Sequence, residues 1–216
     1  MDSVVEENVI FGAGSKDPAA ARRRWPVAVA ITGVAAAAVG LLMVPPDATL
    51  GGDIRAVFFH GAVTWTAIIM AVCGGAAGLG TLVLRWDVPT RVWRLLTLAT
   101  VSWVLSLSLS FPVMRMTWGG VLWNEPKLLM SAEVVSTFLV AWAVALLVGK
   151  PRVTAAAAAV AAAVMVALLV ATPGAFHPDN PIFRSGNARF IGSFLLVAGG
   201  LVLLAGGIVF WPRRVR

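Results

Sequence analysis

Six runs of apolar residues dominate this chain, and each is long enough to cross a membrane as an α-helix. In lipid a span must satisfy its own backbone hydrogen bonds, so an apolar stretch of roughly 18 residues or more indicates a helix. The sequence therefore predicts an all-α integral membrane protein with six transmembrane helices over residues 25–212, after a disordered cytoplasmic tail over residues 1–24. The runs lie at about residues 26–44, 56–84, 92–113, 128–148, 153–172 and 190–211.

The composition agrees with a membrane protein, because 59% of the residues are hydrophobic and only 12% are charged. Soluble domains usually have about 45–50% apolar residues. The net charge of +7 raises the question whether the protein binds nucleic acid. The basic residues, however, stand at the ends of the apolar runs, as membrane topology requires, and this pattern argues against a nucleic-acid partner.

The lysines and arginines are divided unevenly between the two sides of the predicted bundle. Twelve of the 17 fall in the N-terminal tail, the second and fourth connections and the C-terminus. The positive-inside rule then predicts that both termini lie in the cytoplasm. We expect the protein in the cytoplasmic membrane of a prokaryote. The remaining five basic residues lie on the outer side: Arg55, Arg115, Lys127, Arg184 and Arg189.

The three outer connections also carry the two histidines of the chain and several tryptophans. Iron in haem takes axial imidazole nitrogens, the macrocycle packs on apolar and aromatic surfaces, and the propionates bind cations. His60 and His177 are candidate axial ligands, Trp118 and Trp123 a candidate platform, and the five outer basic residues candidate propionate partners. The first connection delivers Arg55, His60 and Trp65, the second Trp118, Trp123, Glu125 and Lys127, and the third His177, Arg184 and Arg189.

Each of these residues taken singly also has a plainer interpretation. His60 could bond a neighbouring helix, and His177 could be a solvated residue of a proline-rich loop. Trp118 and Trp123 could belong to the aromatic belt at the membrane surface, and the cations could bind lipid phosphates. The convergence of all of them on one face favours haem.

Two motifs carry a resemblance to a known family. "RAVFFHGAVTW", from Arg55 to Trp65, resembles the R-x-x-Y-x-H-x-P-x-A-W segment of the cytochrome c assembly family of haem-handling proteins, of the CcmC type. "WGGVLWNEPKLL", from Trp118 to Leu129, resembles the tryptophan-rich signature of that family, with Glu125 where the family has Asp. Other tryptophans of the signature are replaced here, which indicates a diverged member.

The resemblance implies a membrane haem chaperone for c-type cytochrome biogenesis. Such a protein holds b-type haem transiently at the outer membrane surface between two histidines, here His60 and His177, beside the tryptophan-rich segment. It passes the haem to an extracytoplasmic haem-carrier protein or apocytochrome, with the help of ABC-type transporter subunits. Its work is binding and transfer of the cofactor rather than conventional enzymatic catalysis.

Two other classes of membrane protein stay open. A b-type haem anchor of an oxidoreductase usually has histidines near the bilayer centre or on both sides, whereas both lie near one face here. A transporter subunit without a cofactor is the other class, and Glu133 supports it because an ionisable residue inside a span is a functional candidate.

Overall fold

The computed structural model describes residues 18–172 and 181–212, and within these ranges the chain is helical, without a β-strand. All helices except α6 are long and apolar enough to cross a membrane, which confirms the predicted all-α architecture with six spans of the transmembrane type. The side of the membrane on which each helix end lies remains a prediction. The helices are α1 (Pro18–Met43), α2 (Ile54–Val83), α3 (Pro89–Trp118), α4 (Pro126–Val148), α5 (Pro151–Ala171), α6 (Pro181–Arg184) and α7 (Ala188–Val209).

The helix boundaries follow local signals, with two departures from the sequence prediction. Helix α1 begins at Pro18, so residues 18–24, which we assigned to the tail, are helical. Helix α3 continues past residue 113 to Trp118, although Pro112 lies inside it. It ends where Gly119 takes up φ 73°, a left-handed conformation that glycine adopts without steric cost.

Helices α1 and α7 pack backbone to backbone through glycines. A Cβ atom built on Gly200 would lie 2.5 Å from the amide nitrogen of Ala37, and one on Gly33 would lie 2.5 Å from the carbonyl oxygen of Gly200. Membrane helices associate through van der Waals contact, and small residues allow the closest approach. The glycines of both helices therefore fix the place of α1 on the outside of α7.

Helix α2 occupies the centre of the bundle, in contact with α3, α5 and α7. Its glycines meet the alanine-rich helix α5: a Cβ on Gly75 would lie 2.5 Å from that of Ala162, and a Cβ on Gly78 would lie 2.5 Å from the carbonyl oxygen of Ala155. The alanine run of α5 is thus a packing surface for α2. Helix α4 completes this side of the bundle against α3 and α5.

Arg94 of α3 binds the backbone at the end of α7. The Arg94 guanidinium donates to the carbonyl oxygen of Val209 at 2.9 Å and to that of Ile208 at 3.3 Å, and also bonds that of Trp211. These carbonyls belong to the last turn of α7 and its exit, where intrahelical donors run out, so the cation supplies further donors and complements the helix dipole.

Candidate ligand-binding site

A cavity of about 360 Å³ opens at the end of the bundle where the connections α1–α2, α3–α4 and α5–α7 meet. Five long helices and the short α6 contribute to its wall, so it exists only in the assembled bundle. One part of the wall is apolar and another carries hydroxyl groups, an imidazole and an ammonium group. The lining residues on α2 are Val57, His60, Gly61, Thr64 and Trp65; those on α3 are Trp103, Ser106 and Ser110; those on α4 are Lys127, Met130 and Ser131; and Leu169, Thr172, Ile182 and Phe194 complete it.

His60 reaches the cavity because of its position on α2. Val57, His60 and Thr64 follow one another at intervals of three and four residues, so they share one face of the helix. That face lines the cavity, while Phe58 and Ala62, on another face, are buried in the apolar cluster beneath α7. His60 itself is half-buried. An imidazole at this place is enclosed by protein on several sides and open to the cavity.

A hydrogen-bonded pair of hydroxyl groups joins α2 to α3 beneath His60. Thr64 Oγ1 donates to the carbonyl oxygen of His60 at 2.9 Å, and it lies 2.6 Å from Ser106 Oγ. A hydroxyl carries a single proton, and the Thr64 proton is directed to His60, so Ser106 is the donor in the second bond. The order is therefore Ser106 to Thr64 to the backbone of His60.

Two further serines contribute oxygen atoms to the wall. Ser110 Oγ donates to the carbonyl oxygen of Ser106 at 3.1 Å, and Ser131 Oγ donates to that of Lys127 at 2.7 Å. We did not predict a role for these hydroxyl groups from the sequence. The spacing of Ser106 and Ser110 on α3, and of Thr64 four residues after His60 on α2, places each set on one helix face. The sequence of either helix alone does not show which faces of α2 and α3 are in contact.

Glu125 and Lys127 lie together at the start of α4 but have different surroundings. Glu125 is 1% exposed, and its carboxylate accepts the backbone N–H of Leu128 at 2.7 Å as the N-cap of the helix. Pro126 then begins the helix, a position where a missing N–H costs nothing. Lys127 is half-buried and lines the cavity. The cap thus fixes the first turn of α4, and with it the backbone that carries the ammonium group.

The predicted tryptophan platform is divided by the structure. Trp65 lines the cavity and is 46% exposed. Trp118 ends α3 and is half-buried, and Trp123 is 69% exposed with its ring 5.7 Å from that of Phe111. Within the described ranges, neither Trp118 nor Trp123 is part of the cavity wall. The platform function that we predicted for these two residues stays a prediction.

The predicted cations are divided in the same way. Arg55, Arg115 and Arg189 are exposed, and none of them lines the cavity, so among the cationic side chains that the structure describes only Lys127 does. Arg184 ends α6, and its side chain lies outside the description. His177 also lies outside the described residues, but Thr172 and Ile182, on either side of residues 173–180, both line the cavity.

Three kinds of side chain in the wall could hold a haem. The wall has an imidazole that can bind iron, an ammonium group that can bind a propionate, and the apolar side chains of Met130, Leu169 and Phe194, which can contact a macrocycle. Among the described residues no group of three or more His, Cys, Asp or Glu could hold a bare metal ion. No family model matches the chain, and no curated protein or solved structure matches it significantly.

Proposed function

We propose that this protein is a membrane haem-handling protein of c-type cytochrome biogenesis. The observation that carries the proposal is the position of His60 in the wall of a cavity at one end of the bundle, together with Lys127 and Trp65. Haem is the cargo. His60 binds its iron, Lys127 binds a propionate, and the apolar wall and Trp65 contact the macrocycle.

His177 is the second axial ligand in this proposal, and the two histidines hold the iron from opposite faces. Support comes from the chain on either side of it, since Thr172 and Ile182 both line the cavity. A fully extended chain covers at most about 3.6 Å per residue, so a residue midway between these two stays within reach of the cavity.

The cavity faces the extracytoplasmic side in this proposal, and both termini are cytoplasmic, because 12 of the 17 basic residues then lie inside. Haem leaves the cavity for an extracytoplasmic haem-carrier protein or an apocytochrome, and ABC-type transporter subunits assist. The chain presents the haem and the acceptor supplies the attachment chemistry, so its work is transfer rather than catalysis.

The deciding experiment is the absorption spectrum of the purified protein after addition of haem. We expect a Soret band and a low-spin signal in the wild type, a changed signal in both His60→Ala and His177→Ala, and partial restoration by added imidazole. Ser108→Ala, a substitution at an exposed position of α3 outside the cavity wall, is the control.

Three results would overturn parts or all of the proposal. A wild-type protein that shows no Soret band after addition of haem does not bind haem. A transporter subunit is then the alternative, and Glu133, which is exposed on α4, is the first residue to examine. A low-spin signal that neither histidine substitution alters excludes the proposed ligand pair. If the protein retains its haem permanently and a reduced quinone reduces that haem, the protein is the b-type haem anchor of an oxidoreductase.

A further inference from the structure

Ser106 of α3 and Thr64 of α2 form a side-chain contact between the two helices, with 2.6 Å between their hydroxyl oxygens. Ser106 is 1% exposed, and its partner lies one helical turn along α2 from His60. We propose that this pair is a positioning device, which holds the turn of α2 that carries His60 at a fixed height and rotation against α3. The inference rests on the proposed function in so far as His60 is the iron ligand.

The direction of the bonds supports a positioning role. Thr64 donates to the carbonyl oxygen of His60, and Ser106 donates to Thr64. The His60 turn of α2 is thus connected through two hydroxyl groups to the neighbouring helix. Both side chains also line the cavity. Their hydrogen bonds lead to the backbone of His60, and through this backbone the pair positions the imidazole.

The residues around His60 show why a hydrogen bond between α2 and α3 is needed near this residue. Gly61 follows His60, and a Cβ atom there would meet only the ring of Phe194, at 3.3 Å. Val57, Gly61 and Thr64 all line the cavity, so this part of α2 has few packing neighbours on the cavity side. A helix turn with a void on one side has fewer contacts to fix it, and a ligand must be held within about 0.5 Å for a productive geometry.

Ser108 provides the contrast on the same helix. It is exposed on another face of α3, and its hydroxyl group donates to the carbonyl oxygen of Val104 at 2.8 Å, within its own helix. Both serines lie inside an apolar span, but only Ser106 bonds a second helix. Ser108→Ala is therefore a matched control for Ser106→Ala, with the same loss of one hydroxyl group.

The first test needs no haem. The chain has only two histidines, so in a His177→Ala background a chain labelled with ¹⁵N-histidine gives imidazole signals from His60 alone. We expect narrow signals in this background and in Ser108→Ala. Ser106→Ala should broaden or double them, because the imidazole then samples more than one orientation. Thr64→Val, which keeps the shape and removes the hydroxyl group, should do the same, whereas Thr64→Ser should not.

The second test measures haem release to an acceptor protein. Loss of a buried interhelical hydrogen bond should accelerate release about three- to tenfold in Ser106→Ala and in Thr64→Val. The double variant should release haem no faster than either single variant, because both remove the same connection. Ser108→Ala and Thr64→Ser should release haem at the wild-type rate.

The outcomes separate this inference from the proposed function. Unchanged His60 signals in both Ser106→Ala and Thr64→Val overturn the positioning device, whatever the chain binds. Equal effects of Ser106→Ala and Ser108→Ala also overturn it, since they show a general loss of stability. A wild-type chain that binds no haem overturns the proposed function, and the imidazole signals then still decide on the device.

Discussion

Lys127 and His60 line the same cavity from different helices, although 67 positions separate them in the sequence. Lys127 reaches it from the first turn of α4 and His60 from the second turn of α2. A cation and an imidazole at one cavity can bind the two chemically different parts of an iron porphyrin, its carboxylates and its metal. The predictions below separate this arrangement from the plainer interpretation of each residue.

Replacement of Lys127 should weaken haem binding more than replacement of any other described cation at this end. Lys127→Met removes the only described ammonium or guanidinium group in the cavity wall and keeps the length of the side chain. A charge-assisted hydrogen bond contributes about 1.5–3 kcal/mol, so we expect a loss of about ten- to a hundredfold in haem affinity by spectroscopic titration. Arg189→Met is the control, and equal effects of the two would refute the assignment of Lys127.

Trp65 should matter more for haem binding than Trp123. Trp65 lines the cavity, whereas Trp123 is 69% exposed and contacts Phe111. Indole has no lone pair for iron, so the spectral class of bound haem should stay the same while its affinity falls. Titration of Trp65→Ala and Trp123→Ala with haem checks this. A larger effect of Trp123→Ala would indicate that the macrocycle binds at the α3–α4 connection rather than in the cavity.

The glycines between α1 and α7 give a prediction about stability with a control at the next residue. Gly200→Ala puts a Cβ atom 2.5 Å from the amide nitrogen of Ala37, whereas a Cβ on Gly199 meets nothing within 4 Å. Overpacking costs about 1–3 kcal/mol, so Gly200→Ala should lower the unfolding temperature in detergent, and Gly199→Ala should not. Two variants with equal unfolding temperatures would show that α1 does not pack on this face.

The α1–α2 connection should lose stability in acid. The carboxylate of Asp47 accepts the backbone N–H of Leu50 at 3.0 Å and that of Thr49 at 2.8 Å, and these bonds lower the pKa of Asp47. Because the pKa of Asp47 is lower in the folded than in the unfolded protein, its hydrogen bonds stabilise the fold fully above the unfolded pKa of about 4. This stabilisation is lost as the pH falls through the folded pKa. The difference in unfolding temperature between wild type and Asp47→Ala should therefore shrink below about pH 4. A difference in unfolding temperature that does not change with pH would contradict this role of Asp47.

The orientation of the bundle can be read from cysteine labelling in intact cells. Cys73 is the only cysteine and is exposed, so it is first replaced by Ala. A membrane-impermeant reagent should then label Thr49→Cys from outside and should not label Asp87→Cys, because the positive-inside rule puts these exposed positions on opposite sides. The reverse labelling pattern would place the cavity on the cytoplasmic side of the membrane.

The sequence alone predicted the six long helices of this protein, although α1 begins earlier and α3 ends later than predicted. Hydropathy over about 20 consecutive residues is a local property, and so are the prolines that begin α3, α4 and α5 and the glycines that end α3 and α4. The alternation of the spans also predicted that the connections bearing His60 and Lys127 lie at the same end, as their shared cavity shows.

Only the tertiary structure decided which side chains meet. The rotation of each helix about its axis is set by packing, as where Gly75 of α2 meets Ala162 of α5 and Gly200 of α7 meets α1. That rotation brings Lys127 and Trp65 into the cavity wall and leaves Arg189 outside it. It also pairs Ser106 with Thr64, because a contact between two faces depends on both helices at once and neither sequence segment contains it.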